Sequence, residues 1–377
     1  MVDETMDEEH ELAVEPEDTF PLDRIKEPFN PKDVEISQKS FSIGYLLDRM
    51  ATSPPQINLI TNFQRGSNLW TYQQQSRLIE SILIRLPLPV FYFDASDDNN
   101  WLVIDGLQRL SALRNFAVKK TLKLKGLEFL PQIENMGFDE LPVDLQRRIQ
   151  EATITAFLIN PGTPSNVKFI IFQRINTGGT TLEPQEIRHA LNAGRSADFI
   201  AELAEFEEFK KATARSLSPL RMLDRDFVNR FLAFYIIGFE HFEPDMNTFL
   251  NTAMIKLNEL PDVELENIRI NFKRAMVTAQ AIFGDRAFRK WYSQGERRKP
   301  LNKALFDTWS VALAQLTAQE ISILIDRKEV LYNEFLAILR SSEEFNEAIS
   351  TGTGDKSRVN TRFKTITNLI KKVLSTP

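Results

Sequence analysis

Three Gln-Arg pairs lie at predicted junctions between secondary-structure elements, where their side chains could bind phosphates. They are Gln64-Arg65 in a loop, Gln108-Arg109 after a predicted strand and Gln173-Arg174 near the end of a predicted helix. The planar guanidinium of arginine matches phosphate oxygens, and glutamine supplies a donor and an acceptor that can orient water or a base edge. A fourth pair, Gln146-Arg147, lies on an ordinary polar helix face. The junction pairs therefore point to a phosphorylated ligand.

Asp105 supplies the complementary acidic group. It ends a predicted strand, Gly106 breaks that strand, and Arg109 falls in the first turn of the next helix, where the helix N-terminus favours anions. A carboxylate at this junction can hold a divalent cation that bridges phosphates, or orient an attacking water. However, Asp-Gly is also typical of a plain turn, and a Gln-Arg pair is typical of a solvated surface. The pattern alone leaves both interpretations open.

The run Asn176-Thr177-Gly178-Gly179-Thr180 predicts a turn between two helices. Its glycines would let a phosphate approach the backbone, whereas a simple interhelical loop has the same composition. The run matches neither the Walker A pattern nor a dinucleotide fingerprint. On the helix that follows, His189 could act as a general base, although a partly buried structural histidine is the commoner case. Neither feature assigns a chemistry by itself.

Residues 286–303 form a basic segment. They include seven Lys and Arg side chains beside Trp291 and Tyr292, with Glu296 as the one acidic residue. Such a segment could contact phosphates and stack bases, but a solvated loop between helices accounts for the same pattern. The weak nucleic-acid contacts that the segment predicts are Arg297, Arg298 and Lys299.

Apolar spacing and breaker residues predict the elements that position the junction pairs. Thr71 and Gln74 form a capping box that opens a helix, Pro87 ends it, and Gly106 separates a strand from the next helix. The predicted elements are a helix over 72–86, a hairpin of strands over 89–94 and 101–105, helices over 107–116 and 143–151, one or two strands over 121–129, a strand over 152–160, and helices over 167–175 and 184–194.

From about residue 195 the pattern is helical only. The predicted amphipathic helices cover 227–239, 249–257, 263–283, 302–316, 318–338 and 359–374. Phe227, Phe231 and Phe234 are expected to lie in the core. The fold class is therefore α+β, with an α+β N-terminal domain over 21–195 and an all-helical C-terminal domain over 196–377, the border lying somewhere in 190–215.

The composition excludes several kinds of site. Without cysteine the chain has no disulfide, thiolate metal site or cysteine nucleophile, and its three histidines are too far apart to predict a zinc cluster or a histidine-rich nuclease centre. No apolar run approaches the roughly 20 residues of a membrane helix. The N-terminus also lacks a secretory signal, so we expect no membrane association and a cytoplasmic location.

The acidic residues are concentrated at the N-terminus. Residues 1–18 hold nine acidic side chains and no Lys or Arg, so the net charge of −6 becomes +3 without them. Residues 1–20 are predicted to be a disordered acidic tail, because they cannot bury enough apolar surface to fold. The tail could be merely solubilising, or it could mimic nucleic acid and cover a basic groove.

Several motif blocks follow one another along the chain. They are Asn62-Phe63-Gln64-Arg65 through Trp70, the helix that ends in Leu86-Pro87-Leu88-Pro89, the run Ile104-Asp105-Gly106-Leu107-Gln108-Arg109-Leu110, and Phe172-Gln173-Arg174-Ile175-Asn176-Thr177-Gly178-Gly179 with Leu182 and Glu186-Ile187-Arg188. Taken in order, they resemble the N-terminal domain family of GmrSD-type restriction endonucleases. Segments near the C-terminus, Arg230-Phe231-Leu232, Asn302-Lys303-Ala304-Leu305-Phe306 and Arg362-Phe363, are also similar. We therefore expect the resemblance to cover residues 20–377.

The resemblance implies a ParB/sulfiredoxin-like fold that binds and hydrolyses nucleoside triphosphates, in defence systems that recognise modified phage DNA. It implies catalytic roles for Asp105, Gln108 and Arg109, with Asp105 contacting Mg²⁺ through the nucleotide. The residues implied to bind nucleotide or phosphate are Gln64, Arg65, Gly106, Arg174, Asn176, Glu186 and Arg188. Leu107 departs from the family motif, which usually has glutamine there. No histidine follows His241, so the HNH-type nuclease domain of longer relatives is not expected.

Three hypotheses follow for the function. The first is a nucleoside triphosphatase that depends on Mg²⁺. The second is a non-catalytic DNA-binding or regulatory module, suggested by Leu107 and by the lack of a nuclease motif. The third is a DNA nickase that uses the ParB-like site. The partners expected are a nucleotide, DNA, and a separate nuclease or other defence-system subunit, and the chain could form oligomers.

Overall fold

The computed structural model describes residues 13–16, 34–59, 70–175, 183–293 and 295–375. Contacts divide the chain into two compact units with a border between Leu191 and Asn192. One unit contains the described residues up to 191, except for residues 13–16, which belong with the second unit. Within the described ranges, no helix combines the length and the apolar character that crossing a membrane requires.

The first unit is built on a mixed sheet of five strands. The strands are β1 (Ile36–Ser42), β2 (Ile57–Asn58), β3 (Phe91–Asp94), β4 (Trp101–Asp105) and β5 (Thr153–Ile159), in the order β1-β5-β3-β4-β2. The pairs β1/β5 and β3/β4 are antiparallel, and the pairs β3/β5 and β2/β4 are parallel. The predicted hairpin of β3 and β4 is confirmed, and it lies inside the sheet.

Helices cover both faces of this sheet. They are α1 (Ile43–Ala51), α2 (Tyr72–Leu83), α3 (Leu107–Leu113), which continues as a π-helix over 114–118, α4 (Val143–Glu151), α5 (Ser165–Ile175) and α6 (Pro184–Leu191). Successive strand residues point to opposite faces. Val103 therefore packs with α1–α4 in one apolar cluster, while Ile104 packs with α5 and α6 in another.

Local signals predicted several of these elements well. The capping box at the start of α2 is present: the Thr71 hydroxyl accepts from the Gln74 N–H, and the Gln74 side chain accepts from the Thr71 N–H. The predicted helix over 143–151 matches α4, and the predicted strand over 152–160 contains β5. The helix before Pro87 ends earlier than predicted, at Leu83.

The prediction of strands over 121–129 was wrong. Leu122 and Leu124 alternate with exposed residues as in a strand, and both are fully buried, but the backbone is irregular. Leu124 exchanges backbone hydrogen bonds with Asn135 and Met136, whereas the N–H groups of residues 125–130 find side-chain acceptors. The Ser76 hydroxyl accepts from the Lys125 N–H, and the buried Glu80 carboxylate accepts from the N–H groups of residues 128, 129 and 130 at 2.7–3.1 Å. Because α2 satisfies these donors, no strand pairing is required.

The second unit is all-helical within the described residues, apart from isolated bridges at Val14, Arg289 and Leu301. Its α-helices are α7 (Arg195–Ala204), α8 (Glu207–Ala212), α9 (Leu223–Ile236), α10 (Met246–Glu259), α11 (Asp262–Phe283), α12 (Lys303–Ala314), α13 (Ala318–Asp326), α14 (Lys328–Ser341), α15 (Glu343–Ser350) and α16 (Lys356–Ser375). The sheet and these helices together confirm the α+β class.

The single helix predicted over 318–338 is wrong, because the chain breaks at Arg327 into α13 and α14. No glycine or proline marks the break in the sequence. The Arg327 guanidinium donates to the carbonyl of Val373 in α16 at 2.9 Å. The break thus accompanies a contact between residues far apart in the sequence, which helical periodicity does not report.

The core of the second unit is rich in phenylalanine. Phe227, Phe231 and Phe234 are almost completely inaccessible to solvent, as predicted. Beside them lies a buried charge cluster. The Asp307 carboxylate accepts from Arg230 Nε and Nη2 at 2.9 and 2.7 Å and from Arg362 Nη2 at 3.2 Å. Two arginines that the resemblance singled out thus lie in the interior, where they join α9, α12 and α16.

Candidate functional site

The corner between β4 and α3 carries the central motif, residues 104–110. Asp105 is the last residue of β4, and Gly106 turns the chain into α3 with a φ of +100°, in the left-handed region that favours glycine. A Cβ at position 106 would lie 2.3 Å from the Phe91 ring. Both the backbone angle and the close ring therefore require glycine, whose role is to let α3 begin directly against β3.

Arg109 is built into this corner. Its side chain is 10% exposed. Its guanidinium donates to the carbonyls of Pro89 and Val90 and, at 2.9 Å, to the Asp105 carboxylate. The guanidinium also lies over the Phe91 ring, 4.2 Å from its centroid. Arg109 thereby joins the start of β3, the end of β4 and the first turn of α3.

The two charges of the corner differ in their exposure. Burial lowers the pKa of the Arg109 guanidinium, and the neighbouring Asp105 carboxylate acts in the opposite direction. The Asp105 side chain keeps 34% of its surface open. A carboxylate held by an arginine and partly open to solvent can accept hydrogen bonds from water or coordinate a cation. The arginine positions this carboxylate.

Gln108 connects the corner to the first motif block, residues 62–70. Its side-chain carbonyl accepts from the backbone N–H of Trp70 at 3.2 Å. Trp70 is followed directly by the cap of α2, and its own carbonyl accepts from Gln75 Nε2. Gln64 and Arg65, which precede Trp70 in the same block, lie outside the described residues. Gln108 thus fixes the end of the segment that carries them.

The second motif block, residues 172–188, meets the same corner through a small apolar cluster. Ile104 of β4, Phe172 of α5 and Ile187 of α6 are buried together. Each is close in sequence to residues of the predicted site: Ile104 precedes Asp105, Phe172 precedes Arg174 by two positions, and Ile187 lies between two charged residues. The cluster therefore brings the central and second blocks into one region of the first unit.

The residues of the second block differ in their accessibility. Arg174 is exposed at the last turn of α5, whereas Glu186 and Arg188 are buried in α6. Glu186 Oε2 accepts from the Glu183 N–H at 2.7 Å, and Arg188 Nε donates to Gln185 Oε1 at 2.8 Å. Both interactions stabilise the start of α6.

Two further predicted residues of this block can be placed. His189 is also buried, so its described position matches that of a structural histidine. Asn176 lies outside the described residues. Among the described residues of the second block, Arg174 is exposed and can therefore meet a ligand from solvent.

A divalent cation would find one carboxylate at this corner. Within the described ranges, no group of three or more His, Asp or Glu side chains could hold a metal ion. Magnesium commonly binds through one or two carboxylates together with substrate phosphates and waters. Asp105 alone therefore fits a cation that arrives with a phosphorylated ligand, and does not fit a resident metal centre.

The basic segment over 286–303 is mostly committed to internal contacts. Trp291 is 3% exposed and packs in the core, so its ring is not available to stack on a base. The Lys299 ammonium pairs with Glu296 at 2.7 Å and lies 4.2 Å from the centroid of the Tyr292 ring. Arg297 and Arg298 are exposed. Among the predicted nucleic-acid contacts, these two arginines are the accessible ones.

The sequence interpretation missed the partners that give Arg109 its position. The spacing of four residues between Asp105 and Arg109 is the signal for their ion pair across the first helical turn. The carbonyls of Pro89 and Val90 and the Phe91 ring carry no sequence signal, since they reach Arg109 only through the antiparallel pairing of β3 with β4.

Comparison with known protein families identifies the first unit. Residues 46–193 match the family model described as the GmrSD restriction endonuclease N-terminal domain. The match contains all the motif blocks of the first unit and ends close to the border between the units, so the predicted similarity of the helical unit lies beyond it. No curated protein and no solved structure matches the chain. Residues 46–193 are therefore a domain of the GmrSD restriction endonuclease N-terminal family.

Proposed function

We propose that the first unit is a ParB/sulfiredoxin-like domain that binds a nucleoside triphosphate with Mg²⁺ and hydrolyses it slowly. The observation that carries this proposal is the convergence of the motif blocks on the β4–α3 corner. Gln108 contacts the end of the first block, and Ile104 packs against the second. A site assembled from three distant segments is typical of ligand binding rather than of a simple turn.

The residues of the corner take distinct roles in this proposal. Asp105, partly exposed, coordinates the cation that accompanies the phosphates or orients the attacking water. Arg65 and Arg174 neutralise phosphate charge, as guanidinium groups do in other phosphate sites. Arg109 is a positioning residue, because its described contacts hold Asp105 and β3 in place.

The remaining residues support these groups. Gln108 orients the first block, and Glu186 and Arg188 stabilise the start of α6. Gln64 and Asn176 supply polar contacts to the nucleotide, and Gly106 supplies the turn that places Asp105 and Gln108 at the phosphates. The chain's own residues thus bind, orient and hold water, while a separate nuclease subunit would cut DNA.

The proposal is tested with variants that change chemistry but preserve the fold. Asp105→Asn keeps an acceptor for Arg109 and removes the negative charge, and Arg174→Ala removes an exposed guanidinium. Arg147→Ala is the matched control, since Arg147 is exposed on α4 and also follows a glutamine. Triphosphate binding is measured by titration with Mg²⁺, and turnover by phosphate release.

We expect Asp105→Asn to abolish Mg²⁺-dependent turnover. Arg174→Ala should weaken triphosphate binding about tenfold or more, the effect of losing one charge-assisted hydrogen bond. Arg147→Ala should behave as the wild type. Absence of binding to all triphosphates, or unchanged turnover in both site variants, would show that the corner is not a nucleotide site.

A non-catalytic DNA-binding or regulatory module is the second candidate. Leu107, which replaces the usual glutamine, packs against the apolar cluster of α1–α4, and Arg297 and Arg298 are exposed on the second unit. This candidate predicts salt-dependent DNA binding without turnover, which Arg297→Ala/Arg298→Ala weakens and Asp105→Asn does not.

A supercoiled plasmid incubated with protein, metal and nucleotide tests the third candidate, a nickase, since nicking would convert the plasmid to the relaxed form.

A further inference from the structure

Residues 13–16 lie as an extended segment along Leu301 of the second unit. The Leu301 N–H donates to the carbonyl of Ala13 at 3.0 Å, and the Glu15 N–H donates to the carbonyl of Leu301 at 2.8 Å. On its other side Leu301 bridges to Arg289. The segment therefore adds a short parallel strand to an existing backbone edge, which is how many proteins bind extended peptides.

The side chains of the segment fill a site that contains both apolar and charged groups. Val14 packs against the core of the helical unit. The Glu15 carboxylate contacts Lys290 Nζ at 2.7 Å and accepts from Asn302 Nδ2 at 2.8 Å. The Lys290 side chain is 11% exposed and Asn302 is buried, so the carboxylate is recognised by donors that are shielded from water.

The fold of the helical unit holds these donors in position. Asn302 caps α12, since its Oδ1 accepts from the Leu305 N–H at 2.8 Å, and its Nδ2 also donates to the carbonyl of Ile349. Lys290 donates to the Ser350 hydroxyl at 2.8 Å. Both donors are thus placed by contacts that do not involve the segment, as expected of a preformed recognition site.

We infer that the helical unit has a peptide-binding groove that recognises an extended segment with an apolar residue followed by glutamate, and that residues 13–16 of this chain are its ligand. The extended edge at Leu301 ends at Asn302, where α12 begins, so the backbone pairing cannot extend beyond Glu15. The contact is therefore short, and the N-terminal arm can dock and leave without unfolding the unit. This inference does not depend on the proposed nucleotide site.

Peptide binding in trans tests the groove. The probe is a fluorescein-labelled peptide with the sequence of residues 11–18, measured by fluorescence anisotropy. The acceptor is the full chain with Val14→Asp and Glu15→Ala, which weakens the competing segment. We expect saturable binding to this variant and weaker binding to the wild-type chain, whose own segment competes at high effective concentration. A peptide with Glu15→Ala should bind at least about tenfold more weakly.

Two groove variants, made in the same Val14→Asp/Glu15→Ala background, separate recognition from folding. Asn302→Asp keeps the acceptor that caps α12 but removes the donor to Glu15, so it should lose the native peptide. Lys290→Glu should also lose the native peptide and should bind a peptide carrying Glu15→Lys. Thermal melting and circular dichroism that match the wild type establish that each variant is folded.

Two results would overturn the inference: no saturable binding of the native peptide to the folded double variant, or equal binding of native, Glu15→Ala and scrambled peptides. Triphosphate binding is measured on the same preparations. Because Asp105→Asn should leave peptide binding unchanged, failure of the groove and failure of the nucleotide site can be distinguished.

Discussion

Replacing Arg109 should destabilise the first unit strongly, because the guanidinium is nearly buried and holds three acceptors. Arg109→Ala removes the bonds to the carbonyls of Pro89 and Val90 and leaves the Asp105 carboxylate without its cation. Breaking a buried ion pair costs about 3–5 kcal/mol. The 34% exposure of the Asp105 side chain lets water compensate in part. We therefore expect a loss of about 3 kcal/mol in the free energy of unfolding, near the low end of that range.

Arg109→Lys provides a graded comparison. Lysine keeps the charge beside Asp105, but a single ammonium cannot span the carboxylate and both carbonyls as the planar guanidinium does. We expect it to lose roughly half as much, about 1.5 kcal/mol, since one of the contacts survives. The order of stability should therefore be wild type, lysine variant, alanine variant.

Hydrogen exchange measured by mass spectrometry on peptides from residues 91–105 is the appropriate assay. The two units have separate cores, so a global melting curve would mix them. A loss of about 3 kcal/mol corresponds to exchange in β3 and β4 that is faster by about a hundredfold. Arg147→Ala, on the exposed face of α4, should change exchange little. A change below about 1 kcal/mol in Arg109→Ala would refute the positioning role that we assign to Arg109.

Two further predictions concern the helical unit. Asp307→Asn should cost about 3–5 kcal/mol, because it removes the buried negative charge that pairs with both Arg230 and Arg362. A urea titration measures this loss. Asp262→Asn, in an exposed ion pair with Arg195, should change stability by less than about 1 kcal/mol. Burial raises the pKa of Asp224, so its folded form holds a proton more tightly than its unfolded form. Stability should then fall as the pH rises from the ordinary aspartate pKa through the raised one. Asp224→Asn should remove this loss and stabilise the unit at pH 7 more than at pH 3, and equal urea midpoint shifts at the two pH values would contradict this.

The sequence by itself determined much of the local structure. Thr71 and Gln74 marked the start of α2, because a capping box is made within one turn of chain. The polar run between β3 and β4 predicted their hairpin, and Gly106 marked the corner where β4 becomes α3. The order of the motif blocks also pointed to the GmrSD N-terminal domain family, whose model matches residues 46–193 rather than the predicted 20–377.

Other elements had no local signal strong enough to predict them. The strand β1 alternates weakly, and its pairing with β5 joins residues more than 100 positions apart. The helices α1, α8 and α15 are short, and their stability comes from the cores they cover. The strand expected over 121–129 is absent; Ser76 and Glu80, on a helix some 50 residues earlier, accept the N–H groups of residues 125, 128 and 129 instead.

The candidate site, too, was predicted from the sequence only in part. Residue types and spacing identified Asp105, Gln108, Arg109 and Arg174 as groups suited to phosphate chemistry. Only the tertiary structure decided that Arg109 is enclosed by Asp105 and the start of β3 while Arg174 is exposed. The physical reason is that burial and hydrogen-bond partners depend on which distant segments pack together, whereas caps, turns and helical periodicity are set by neighbours in the chain.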